Sequence, residues 1–511
     1  MASNDVIFVK QQGGLGRPLA GEDFISGLLF YSDATYPTGF SSSDKCKAVF
    51  SIQEAEALGI TNTSLGETKA VAKLTIAGTP AVGDTLVVNY TGTEGLINVL
   101  PSYALVSGEE TTATTAAAAW VGKINAGTTV HGFTASNTAG VIYITTKAGE
   151  GVYPNSGTPY TSTVTGGSTA TWTQPTGSGS TVLGVASDID VLWYHVNEFF
   201  RIQPKGKLFI GFYPVSDATT FASVTLMQNI ALGKIRQMGV YQKTTTFAGS
   251  QVTALQAVVN ANATVHKPLE IIYQGKMTSA TTLAGLADMR ALAAPNVSVV
   301  MGQDGANRGY KLWLSHAYSI GIVGTTLGAV AFAKVSDDIA WVAKFNVSNV
   351  EFDTLAYANG YVYSAQSDGT NDNINTLGYI ALKKFDIEGS YFNDSHTSTP
   401  VSGDYAYIEN NRTYNKAIRG LRTFLLPQLA SPLKVKADGT LSEDTIGYFE
   451  SLCDRALAEM QRNSEISAYG VVIDPSQNVL STSELVISVS LVPVGVARTI
   501  TVNVGFTLSI Q

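Results

Sequence analysis

The thirteen residues from Arg498 to Ile510 alternate without interruption. Ile500, Val502, Val504, Phe506, Leu508 and Ile510 are apolar, while Thr499, Thr501, Asn503, Gly505, Thr507 and Ser509 are small or polar. A period of two places the six apolar groups on one face of an extended strand. At about 3.3 Å per residue the segment reaches roughly 40 Å, well past the usual five- or six-residue strand. A long edge strand with an apolar face is an aggregation hazard unless something covers it. Either this one returns into a sheet of its own chain, or it is meant for another molecule.

A chain of 511 residues has room for about three or four domains, and 45% apolar content supplies real cores. Charged residues are only 14%, against an average of about 25%. Low charge with many small polar residues fits a surface that is covered by neighbours or tolerates close packing. The net charge of −8, from 32 basic and 40 acidic residues, gives no electrostatic case for nucleic acid. It would help to keep unassembled subunits soluble. Cys46 and Cys453 stand in unrelated contexts and indicate no disulfide framework. The opening MASNDVIFVKQQGG lacks a secretory pattern, and no apolar run approaches the roughly 20 residues of a membrane span. The expectation is a chain made and folded in a cytoplasm, with no membrane insertion.

The organisation read from the pattern is α+β and multidomain. Residues 1–22 form an extended N-terminal arm with one apolar stretch (Val6, Ile7, Phe8, Val9), followed by the break GGLGRP. An α/β body occupies 23–63 and resumes at 183–400, where strands and helices alternate in the rhythm of partly parallel α/β units. Helices are expected at 51–58, 219–238, 251–262, 280–292 and 307–320, and a loop at 367–373. Residues 64–182, rich in Thr, Gly, Ala and Ser, read as an inserted, mostly β, peripheral domain with one helix at 114–125. A C-terminal α+β assembly domain covers 401–511. It holds a helix at 410–426, a second at 440–463, a strand at 484–492 and the strand-donating arm 497–511. In the second helix Ile446, Phe449, Cys453, Ala456 and Met460 make a single apolar stripe.

Chemistry is hard to find. There is no nucleophile elbow, Walker loop, HExxH or CxxC. GQDGANRG (302–309) lies between a strand and a helix, but its spacing matches no nucleotide fingerprint, and such a turn needs glycine in any case. His195 and Glu198 are three apart in an aromatic stretch and read as packed residues rather than a metal or acid–base pair. Asp368 and Asp372 have too few carboxylates around them for a calcium loop, and Asp337–Asp338 reads as a solvated turn. No catalytic residue, metal or cofactor is expected. One charge pattern is less bland: Arg412, Lys416, Arg419 and Arg422 share a broad face of the 410–426 helix. That face is either solvated or an interface seam pairing with carboxylates of a neighbour.

In this order the pieces resemble the sheath protein of contractile phage tails and related contractile injection systems. The likeness is carried by the arginine-bearing YIENNRTYNKAIRGL (407–421), by AYGVVIDPSQN (468–478), and by the strand and β arm that follow. WYHVNEFFRIQPKGKLFIGF (193–212) is compatible with the α/β body. The insertion is similar to small modules that decorate phage sheaths, with Ile124–Asn125 closing a helix and Gly151 to Asn155 in a following segment.

The resemblance implies a non-enzymatic subunit that polymerises as stacked hexameric rings around a tail tube, and contracts to drive the tube through the host envelope. Its partners would be itself, the tail tube protein, and baseplate and tail terminator proteins. Its place would be the virion tail, after assembly in the host bacterial cytoplasm. Terminal arms would add strands to a neighbour's sheet, with Gly13, Gly14, Gly16 and Gly495 as hinges, and the basic face would look toward tube or neighbour. Two other readings stay open: another virion protein, tube or adhesin-like, and an α/β ligand-binding protein or enzyme.

Overall fold

The computed structural model describes residues 22–385, 389–502, 504 and 506. The chain forms two compact units: a larger one of Phe24–Phe332 and Ile339–Tyr407, and a smaller one that includes Asp23, Ala333–Asp338 and the chain from Ile408 on.

The larger unit is built on a seven-stranded sheet in the order 379–380, 297–300, 270–276, 237–246, 25–31, 207–213, 46–49. Neighbours run parallel except for the edge strand Cys46–Val49, which is antiparallel to Lys207–Tyr213. A parallel sheet covered on both faces selects near-continuous apolar strands, and Ile25–Tyr31 (ISGLLFY) is buried at every position. On one face lie Ala222–Ile230 and Gly249–Thr264, contributing Val224, Met227, Val252, Leu255 and Val259 to the main core. Asp188–Ile202 and Val323–Phe332 pack together, with the second also against the sheet. Their approach depends on Gly324 and Gly328, where a Cβ would come within 2.2 Å of the His195 carbonyl oxygen and 2.9 Å of that of Phe199.

Several expected elements change. The 219–238 helix shrinks to Ala222–Ile230, because Gln237 onward joins the sheet. The 280–292 segment is no α-helix. It makes two 3-10 turns, Leu283–Gly285 and Met289–Ala291, while Leu283, Leu286 and Met289 are drawn into the main core. The expected loop at 367–373 is instead the start of a helix, Asp368–Thr376, capped by Ser367, whose hydroxyl accepts from the Thr370 amide at 3.2 Å. Its one buried residue, Ile374, supplies the tertiary anchor.

The strands between Val71 and Thr173 form two antiparallel sheets of their own, ordered 134–138, 141–145, 71–78, 168–173 and 95–104, 85–92, 160–165. Helix Ala113–Ala126 packs on them through Ala116, Ala117, Trp120, Val121 and Ile124, making a separate core with Tyr90, Phe133 and Tyr160. Where the chain enters and leaves this region, Thr68 bridges Val185 and Val71 bridges Val182.

The smaller unit holds helices Ile408–Leu425 and Glu443–Arg462 and a two-stranded antiparallel sheet, Ile466–Val472 with Ser488–Pro493. The second helix starts later than its expected Thr440 cap. Ser442 caps it, accepting from the Thr445 amide at 3.3 Å, while Thr440 is taken by a turn with Asp438. Strand 466–472 has no counterpart in the sequence reading, and the strand expected at 484–492 begins at Ser488.

Candidate functional site

The smaller unit is where the sequence places its functional residues. The stripe of its second helix turns inward: Phe449, Cys453, Ala456 and Met460 are buried, with Ile446 partly so. Ala456, Leu457 and Met460 join Ala417 and Ile466 in a small core, and Tyr469, Val471, Val489 and Leu491 of the sheet close over it. Those four are only half-buried. Among the described residues this sheet has two strands, so each strand keeps one edge with unpaired backbone groups. Two strands alone bury little, and the half-covered inner face reflects that.

The chain leaves this sheet at Pro493 and runs through Gly495 to Arg498. Beyond it Ile500, Val502, Val504 and Phe506 belong to no strand, and their side chains are exposed, Val502 at 73% and Val504 at 90%. Of the two alternatives posed by the alternation, return into the chain's own sheet is not taken at these positions. Leu508 and Ile510 lie outside the described residues, as do Val6, Ile7, Phe8, Val9, Gly13, Gly14 and Gly16 of the N-terminal arm. At Gly495 an added Cβ meets nothing within 4 Å, so the backbone there places no demand on glycine.

Most of the expected basic face is engaged within the smaller unit. Arg412 is buried and donates from Nη1 to the Lys334 and Ala333 carbonyls at 3.1 and 3.3 Å. Lys416 Nζ lies 2.7 Å from Asp23 Oδ2 and 2.6 Å from Glu465 Oε1, and Arg419 Nη2 lies 2.7 Å from Asp23 Oδ1. Only Arg422 of the four is exposed. Three cations therefore serve the fold of their own unit, because its interior offers carbonyls and carboxylates within reach. Burial raises the Asp23 carboxyl, but Lys416 and Arg419 outweigh it and hold the group below its usual range. Glu465 moves the opposite way: burial raises it, the nearby Asp23 charge adds to the rise, and Lys416 and Lys334 do not outweigh the two. Asp338, read from sequence as a solvated turn, is buried and pairs with Arg498 at 3.1 Å. Arg498 also meets Glu409 at 2.5 Å.

In the larger unit the candidate titratable groups are likewise buried or paired. His195 is fully buried, and burial lowers its pKa to about 3, so it is neutral near pH 7. Glu198 is engaged by Arg201 at 2.6 Å and by the Thr325 hydroxyl at 3.2 Å. At 302–309, Asp304 accepts from the backbone amides of Asn307, Tyr310 and Phe352 and thereby fixes the start of helix Arg308–His316. A cleft of about 460 Å³ includes Glu94, Lys147, Asp190, Lys311 and Glu351 in its walls. Hydrogen bonds from Lys147 and Lys311 hold Glu94 at about 2, while burial raises Asp190 to about 6 and Glu351 to about 7. These groups are satisfied by each other or by backbone: Asp190 accepts from the Ser64 amide and Glu351 from that of Gly309. Among the described residues no cluster of three or more His, Cys, Asp or Glu could hold a metal, and no helix is long and apolar enough to cross a membrane.

A family model described as DUF2586, C-terminal domain, matches residues 404–511. No curated protein matches the chain. Similar solved structures include the helical sheath of the anti-feeding prophage in its contracted state, 16% identical, covering 62% of this chain and 81% of that one, with a TM-score of 0.44. The PVC sheath complex of an extracellular contractile injection system, contracted, is 16% identical, covering 62% of this chain and 80% of that one at a TM-score of 0.41. The sheath tail protein of Desulfitobacterium hafniense is 11% identical, covering 96% of this chain and 100% of that one at a TM-score of 0.36.

Proposed function

We propose that the chain is a structural subunit of a contractile sheath, polymerising as stacked hexameric rings around a tail tube. The observation that supports it best is the pairing of two incomplete features in one unit. An alternating segment leaves its apolar groups in solvent at Ile500, Val502, Val504 and Phe506. A two-stranded sheet beside it keeps open edges and a half-covered inner face. Strand addition between copies completes both: backbone hydrogen bonds supply affinity, and alternate side chains fix register. A one-residue slip would turn the apolar face to water, so the register is strongly specified.

In this reading contraction is a relaxation from a strained extended lattice to a more buried one. Energy is stored in subunit contacts at assembly, and no nucleotide or cofactor is required. The arms keep neighbours joined while the rigid parts move, and the tube protein, baseplate and terminator contact the lattice at its inner surface and ends. Negative-stain electron microscopy of the purified full chain, with and without residues 497–511, tests the reading. Tubes from the full chain and none from the deletion are expected; monomers from both would overturn it.

A further inference from the structure

We infer that helix Ile408–Leu425 is a tie-bar that anchors the roots of both arms through three of its charged residues, Glu409, Lys416 and Arg419. The segment read as the N-terminal arm, 1–22, is followed directly by Asp23, which Lys416 and Arg419 of the helix clamp at 2.7 Å each. The second residue of the 497–511 arm is Arg498, which Glu409 of the same helix holds at 2.5 Å, with Asp338 at 3.1 Å. The polarity is reversed between the two ends: cations of the helix hold an acidic root, and a carboxylate of the helix holds a basic root. Both sockets are well formed, since Glu409 and Asp338 are buried and Arg412, between the sockets, is buried too. Seven to ten residues separate Glu409 from Lys416 and Arg419, so at about 1.5 Å per residue the roots are tied roughly 10–15 Å apart on one rigid element.

Two consequences follow. Tension on one arm passes along the helix to the other, without passing through the long stretch of chain from Phe24 to Tyr407 that separates the roots in sequence. The bending point of the 497–511 arm moves outward: Gly495 is bracketed by Pro493, in the sheet, and Arg498, in its socket. The arm therefore swings beyond Arg498, with its first apolar residue Ile500.

The purpose of the tie rests on the sheath reading, but the anchors are properties of a single subunit and can be tested there. Trypsin needs the Arg498 guanidinium, and endoproteinase Asp-N needs the Asp23 carboxylate, so each protease reads one socket. In the unassembled full chain, Glu409→Gln should speed cleavage after Arg498 at least tenfold, and Arg419→Gln should do the same before Asp23. Arg419→Lys should restore protection, which separates lost charge from lost folding, and melting temperature is followed in every variant. Tubes of Glu409→Gln or Arg419→Gln should break under gentler shear than wild type. Cleavage at both roots that is already fast in the wild type and unchanged by the variants overturns the inference. If the wild type forms no tubes, the sheath reading fails while the protease rates still judge the anchors.

Discussion

At the scale of single residues, charge is spent inward. Arg412 and Arg422 share one helix face in the sequence, yet one donates to buried carbonyls and the other meets solvent. Arg412→Met should cost about 1.5–3 kcal/mol in urea unfolding, the value of hydrogen bonds to a charged group. Arg422→Ala should stay within about 0.5 kcal/mol. Asp23 gives a pH signature. Its native pKa lies below the ordinary 3.8, so its stabilisation is complete above that value and is lost as pH falls through the native one. Unfolding measured from pH 5 downward should be steeper in wild type than in Asp23→Asn; identical slopes would show that the pair adds nothing. Periodicity found the cations on one face, but whether a face looks out or in depends on segments distant in sequence, here Ala333–Asp338 and Asp23.

At the scale of elements, long periodic segments were legible and short mixed ones were not. The stripe from Ile446 to Met460 lies where its spacing put it, because a helix of this length must bury one side. Strand Ile466–Val472 carries no clear period because Ser467, Ala468 and Gly470 dilute its alternation, and pairing with Ser488–Pro493 makes it a strand. The 280–292 segment had a helical composition, but burial of Leu283, Leu286 and Met289 in the sheet's core outweighed propensity. The two helices of the smaller unit approach closely at Gly420, where an added Cβ would lie 3.3 Å from the Ala456 Cβ. Gly420→Leu should therefore lose about 1–3 kcal/mol by overpacking, read in a denaturation midpoint. Gly495→Ala, with open space around it, should leave both the midpoint and assembly unchanged.

At the scale of the molecule, the region between Ser64 and Val182 behaves as a closed excursion. Its strands pair among themselves around a separate core, and its two ends are zipped by the Thr68–Val185 and Val71–Val182 bridges. Replacing 64–182 by a short Gly–Ser linker should leave a cooperatively melting protein with the circular dichroism of an α/β sheet. A molten product would show that ties such as Lys311–Glu94, at 3.0 Å, and the Val152 amide to the Ser315 carbonyl, at 2.8 Å, are needed by the body.

The sequence by itself determined the periods: the alternation of 498–510, the stripe of the 443–462 helix, the α/β rhythm of 183–400 and the compositional break at 64–182. Those are local properties, set by where Cβ atoms point along a helix or a strand. Only the tertiary structure decided which faces meet. It turned a basic face that read as either solvated or an interface seam into the holder of Asp23, and it gave Arg498 to Glu409 and Asp338. The physical reason is that a charge is cheaper to bury where an opposite charge is already fixed, and the fold alone fixes it.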